Sequence, residues 1–120
     1  MEKYSENSAP ERVIRLARAD IGLDGWLVVD RLRWGCSFGG VRLMPYPSPD
    51  DALADARRLA RAMTYKCALA GVEGGGAKTV LRVLPDMDRR RVFEKLGVEI
   101  ENLRGAYSCA RDIGTTLDDM

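Results

Sequence analysis

The sequence predicts an α/β fold: one three-layer domain with a mostly parallel, mixed sheet flanked by helices. Short β-rich apolar runs alternate with long stretches of helical period, the pattern of strands joined through crossover helices. Glycine and proline clusters punctuate the boundaries. At 120 residues the chain is long enough for one core. Residues 1–120 are therefore taken as a single domain.

Ala9 to Asp20 reads as a first helix, with Val13, Ile14, Leu16 and Ala17 as its apolar stripe and Pro10 in its first turn. The segment from Ile21 to Gly25 breaks it, and Trp26 to Asp30 reads as a buried strand. A second strand is expected around Gly40 to Met44, followed by a loop marked by Pro45, Pro47 and Pro49. Ser48-Pro49-Asp50-Asp51 is a helix start, with Ser48 as N-cap, proline at the first position and acids favouring the dipole. This helix should run to Ala70 and stop at Gly71. Its apolar arc holds Ala52, Ala56, Leu59, Ala60, Met63, Cys67 and Ala70, with Lys66 at the edge. Gly74 to Gly76 reads as a turn into a strand, Thr79 to Leu84. A helix from about Asp88 to Leu103 then turns Val92, Phe93, Leu96, Ile100 and Leu103 inward. A short strand from Ala106 to Cys109, a turn at Arg111-Asp112 and a last helix opening at Gly114 complete the pattern.

The composition narrows the function. Nineteen basic residues against eighteen acidic ones leave no broad footprint for nucleic acid. There is no apolar run long enough for a bilayer span and no secretory h-region at the start. The chain has no histidine, which removes Ser-His-Asp and Cys-His catalysis and the common Cys/His zinc spacings. Cys36, Cys67 and Cys109 read as three reduced thiols of a cytoplasmic protein.

The most distinctive stretch runs from Met63-Thr64-Tyr65-Lys66-Cys67-Ala68 to Gly75-Gly76-Ala77-Lys78. It is not a phosphate-binding P-loop. One residue too many separates the last glycine from Lys78, and the segment leaves a helix for a strand, the reverse of a P-loop. Upstream stands Gly39-Gly40-Val41-Arg42, and downstream Arg111-Asp112-Ile113-Gly114-Thr115, continued by Thr116 to Met120. In this order and at this spacing, the four segments resemble the N-terminal domain of the glutamate/leucine/phenylalanine/valine dehydrogenases. The resemblance covers roughly residues 25–120 and is closest to the leucine, valine and phenylalanine branch.

The resemblance implies a role for each matching residue. Lys66 binds the α-carboxylate of the amino acid, with Gly39 and Gly40 shaping that side of the pocket. Lys78 is the general acid/base, and Asp112 binds the amino group and relays protons. Phe38 and Met63 are the remaining candidate substrate-binding side chains. The chemistry suits these residue types. Oxidation leaves an imine that water must attack with help from a base, and a lysine serves near neutral pH when burial or a neighbouring cation lowers its pKa. Seen singly, each residue has a plainer reading: Lys66 snorkels to solvent, Asp112 caps a turn, the glycines only turn, and Phe38 is core.

Phe38 bears on specificity. Glutamate dehydrogenases carry lysine there to grip the side-chain carboxylate, and a charged substrate end against Phe38 would be desolvated without a partner. The resemblance thus implies oxidative deamination of an apolar L-amino acid to its 2-oxo acid. The chain departs from the leucine-type pattern at Val29-Asp30-Arg31-Leu32, where that branch reads IHDT, and at Gly35-Cys36-Ser37-Phe38. NAD or NADP is expected of the full-length family enzyme, in a C-terminal Rossmann domain that these residues lack. The chain is read as truncated at its C-terminus, without a bound cofactor or metal of its own. A homo-oligomer, dimer or higher, is the expected state. The alternative is a non-catalytic dimerisation or amino-acid-binding module derived from the family.

Overall fold

A computed structural model describes residues 8–111 and Gly114. In chain order these form β1 (Arg12–Arg18), β2 (Leu23–Val29), β3 (Ser37–Met44), α1 (Pro49–Ala70), β4 (Gly75–Arg82), α2 (Arg89–Glu101) and β5 (Tyr107–Arg111). The strands make one five-stranded sheet in the order β1-β2-β4-β3-β5. β2 pairs antiparallel with β1 and β4, whereas β3 pairs parallel with β4 and β5. The sheet is therefore evenly mixed rather than mostly parallel.

The extra antiparallel pairing comes from the N-terminus, where the expected helix over Ala9 to Asp20 is instead strand β1. Ile14 and Leu16 turn inward while Val13, Arg15 and Ala17 stay exposed, a period of two. The same apolar residues fit a helical stripe, so local periodicity was ambiguous. The free edge of β2 decides it, with Leu16 registered on Gly25 and Ile14 on Leu27. Arg15 then stacks its guanidinium 4.9 Å from the Trp26 ring and donates to the Gly25 carbonyl at 2.9 Å. The hairpin turns at Gly22, whose φ of 73° and approach to the Met87 backbone leave no room for a side chain.

The long helix follows its sequence signals closely. The Ser48 hydroxyl accepts from the Asp51 amide at 3.2 Å, and Gly71 ends α1 in the left-handed region at φ 71°. Ala52, Ala56, Ala60 and Cys67 are buried as expected, but Thr64 joins them, and Ala70 is exposed. Short alanine side chains let α1 lie close on Val28 and Val80. On the other face α2 turns Val92 and Leu96 onto Leu27, Val41 and Leu81. Both parallel connections are crossovers, and they move across the sheet in opposite directions. Right-handed connection therefore puts α1 and α2 on opposite faces.

Strand boundaries shift as well, and β2 runs from Leu23 to Val29 rather than Trp26 to Asp30. β3 begins at Ser37, β4 runs from Gly75 to Arg82 rather than Thr79 to Leu84, and Arg111 belongs to β5 rather than a turn. Glycines 75 and 76 are ladder residues, paired with Ser37 and Phe38. Asp112 and the helix expected after Gly114 lie outside the described residues.

Candidate active site

α1 covers β4 and β2 and barely reaches β3, so the same face of the sheet lies open beside the helix. This uncovered strip is the candidate cleft. β3 forms its floor and the flank of α1 its wall. Phe38, Gly40 and Arg42 alternate along β3 toward that face, as Arg42 demonstrates by pairing with Asp55 of α1 at 3.9 Å.

The glycines set how closely these parts approach. A side chain on Gly39 would lie 1.7 Å from the Ala77 carbonyl oxygen of β4. One on Gly76 would lie 2.1 Å from the Thr64 nitrogen and 2.3 Å from the Ala60 oxygen, so α1 rests backbone to backbone on β4. One on Gly74 would meet the Phe38 ring at 2.3 Å, so that ring lies against the glycine run. The glycine triplet, read from sequence as a turn, is chiefly a set of close contacts. Tyr107 fastens the floor from below: its hydroxyl donates to the Gly40 carbonyl at 3.1 Å and lies 3.0 Å from the Thr79 hydroxyl.

The two lysines have different settings. Lys78 sits mid-strand in β4, opposite Val28, on the face covered by α1, and is only 6% exposed. Lys66 is exposed, three turns along α1 from Asp55 and on the same side, the side turned toward β3. Met63, half-buried, lies one turn before Lys66. Phe38, Gly40 and Lys78 thus share the face of the sheet on which α1 lies, Lys66 and Met63 lie along the adjoining side of the helix, and Gly39 is pressed against the β4 backbone instead. No direct bond between the two lysines is found among the described residues, and Asp112 lies outside them.

Sequence reasoning missed two polar groups. Asp30, 2% exposed, directly follows β2 beneath α1 and accepts the Thr64 hydroxyl at 2.6 Å. The same hydroxyl accepts the Gly76 amide at 3.1 Å. The Asp replacing His in the IHDT segment was the available signal. At the other end of the cleft, Tyr46 donates to Asp55, which also holds Arg58 at 2.5 Å. Burial opposes ionisation of Asp55, but the Tyr46 hydroxyl and the Arg58 and Arg42 charges outweigh it, so its carboxyl titrates below the ordinary value. Burial and the neighbouring carboxylate push the Tyr46 hydroxyl well up.

The described residues do not fit a dinucleotide cradle. Their glycine run leaves a helix and enters a strand, the opposite of a pyrophosphate-binding turn. No described helix is long and apolar enough to cross a membrane.

Residues 10–120 match the family described as Glu/Leu/Phe/Val dehydrogenase, dimerisation domain. A leucine dehydrogenase of Bacillus cereus is 40% identical over 119 residues, which are 98% of this chain and 32% of that protein. A phenylalanine dehydrogenase of Bacillus thermotolerans is 38% identical over 119 residues, covering 98% and 30%. The solved structure of L-tryptophan dehydrogenase from Nostoc punctiforme superposes with a TM-score of 0.84 at 29% identity, over 92% of this chain and 33% of that one. The chain spans about a third of the length of the relatives it matches.

Proposed function

The chain belongs to the Glu/Leu/Phe/Val dehydrogenase family, and from that premise we propose that it is the amino-acid-binding part of a dehydrogenase acting on an apolar L-amino acid. The observation that carries this reading is Lys78, an ammonium-bearing side chain 6% exposed in the middle of a strand. Burying such a group costs several kcal/mol, and folds tolerate that cost chiefly where chemistry requires it.

In this reading Lys66 takes the α-carboxylate at the mouth of the cleft. Lys78 holds or moves the proton at the amino nitrogen and the attacking water. Asp112 binds the amino group. Gly39 and Gly40 keep that wall free of side chains, while Phe38 and Met63 receive the substrate's apolar end. A nicotinamide, NAD or NADP, would supply the hydride acceptor in the complete enzyme. The chain works in the cytoplasm as a homo-oligomer, with this domain making the dimer contact. That the similar proteins are dehydrogenases of leucine, phenylalanine and tryptophan supports an apolar substrate.

Calorimetry on this chain with leucine, valine, phenylalanine and glutamate tests the proposal. Binding of at least one apolar amino acid, tighter than glutamate and lost in Lys78→Met, is expected. Absence of binding, or preference for glutamate, sinks it.

A further inference from the structure

We propose that Asp30 is a positioning residue for Lys78, a buried counter-charge that fixes where the lysine's ammonium stops. This rests on the reading of Lys78 as the site lysine. Trp26 and Val28 of β2 pack against α1, so Asp30, next in that alternation, faces the same side of the sheet. Its amide donates to the Gly76 carbonyl at 2.8 Å, which puts Asp30 beside Gly76 on the neighbouring strand. Gly76 presents no side chain, so the next group along that face of β4 is Lys78, opposite Val28. The two residues are thus diagonal neighbours, with backbones roughly 7–8 Å apart, within reach of a lysine stem.

Both are buried, Asp30 at 2% and Lys78 at 6%. Two buried groups of opposite sign on one face stabilise each other, whereas either alone is uncompensated. The carboxyl is also held in place. Thr64 on α1 donates to it at 2.6 Å, and Gly76 donates its amide to the same hydroxyl at 3.1 Å. The clamp lies on the β2 side of α1, while the cleft lies on the β3 side. Asp30 therefore stands behind Lys78 as seen from the cleft and restrains the ammonium from advancing into it.

The direction of this restraint has a consequence for ligands. A carboxyl behind the lysine offsets part of the positive charge that an anionic 2-oxo acid would meet. It penalises a zwitterionic amino acid less. Asp30→Asn keeps the shape and an acceptor for Thr64 but removes the charge.

The test uses the whole chain labelled with nitrogen-15, observing lysine ammonium proton–nitrogen correlations, with the Lys78 signal identified by its loss in Lys78→Met. In Asp30→Asn the Lys78 signal should shift or broaden while those of Lys66 and Lys95 stay in place. If that variant unfolds, Thr64→Val, which frees the carboxyl without removing its charge, should move the Lys78 signal by a smaller amount. A Lys78 signal unmoved in the folded variants, or moved together with the other lysines, overturns the assignment. A second arm measures leucine and its 2-oxo acid by calorimetry: Asp30→Asn should favour the oxo acid by about threefold or more relative to leucine. An unchanged ratio, with both ligands bound, reduces Asp30 to a structural role and also overturns the proposal. If the wild-type chain binds neither ligand, the reading of the site falls, while the ammonium spectrum still decides the Asp30 assignment.

Discussion

Replacing Gly76 by alanine should be among the most damaging single-methyl changes available to this domain. The added carbon would sit 2.1 Å from the Thr64 nitrogen, 2.3 Å from the Ala60 oxygen and 2.6 Å from the Met63 carbonyl carbon. All three are backbone atoms of α1, so no flexible side-chain end can swing aside. Ordinary contact requires roughly another ångström or more, which must come from lifting the helix off β4. That movement opens the seam where Ala52, Ala56 and Ala60 meet Val28 and Val80. It also stretches the Thr64 bonds to Asp30 and Gly76. Overpacking of a tight core usually costs 1–3 kcal/mol, and loss of seam contacts adds to it, so about 3 kcal/mol or more is expected. Urea unfolding followed by circular dichroism measures the loss. A variant within about 0.5 kcal/mol of wild type would refute backbone-on-backbone seating of α1.

Other outcomes follow from the same structure. Gly97→Ala, in an exposed turn of α2 with nothing near the new methyl, should stabilise by about 0.5–1 kcal/mol in the same assay. Ser48→Ala removes the α1 cap and should cost about 1 kcal/mol, whereas Ser48→Asp should not. Asp55 has a folded-state pKa below its unfolded value. The stability it contributes is present above about pH 4 and declines as the solution is acidified through the folded value, so Asp55→Asn should flatten the acid limb of a stability–pH curve. Tyr46 is displaced upward, so its contribution is present below about pH 10 and falls at higher pH, and Tyr46→Phe should flatten the alkaline limb.

The parts legible in the sequence were those set by local chemistry. α1 announced both its ends through Ser48-Pro49 and Gly71, and Asp88 caps α2 where its start was expected. β1 was misread because Val13, Leu16 and Ala17 fit a helical stripe while Ile14 and Leu16 fit one face of a strand, and the deciding partner, β2, is a tertiary fact. Gly75 and Gly76 were misread for a related reason: a glycine looks alike in a turn and in a strand pressed against another backbone. At the site, the family pattern pointed to Phe38, Gly39, Gly40, Met63, Lys66 and Lys78; Phe38, Gly40 and Lys78 fall on one face of the sheet, whereas Gly39 packs on the β4 backbone. Asp30 was seen only as a departure from a motif. Its burial and its tie to Thr64 depend on strand register across residues far apart in sequence.

The strand order also sets a timetable for synthesis. β4 is the central strand, and both its neighbours precede it: β3 ends at Met44, yet the gap between β2 and β3 is filled only when Arg82 has been made. At about 5–20 residues per second, these ~40 residues take roughly 2–8 s. During that interval the inner edge of β2 is unpaired, and β3, whose neighbours β4 and β5 both follow it, has no partner strand, so both are exposed to any other chain with a free edge. The nascent domain is thus most vulnerable while its longest helix is emerging, and slow codons placed within α1 would prolong that exposure.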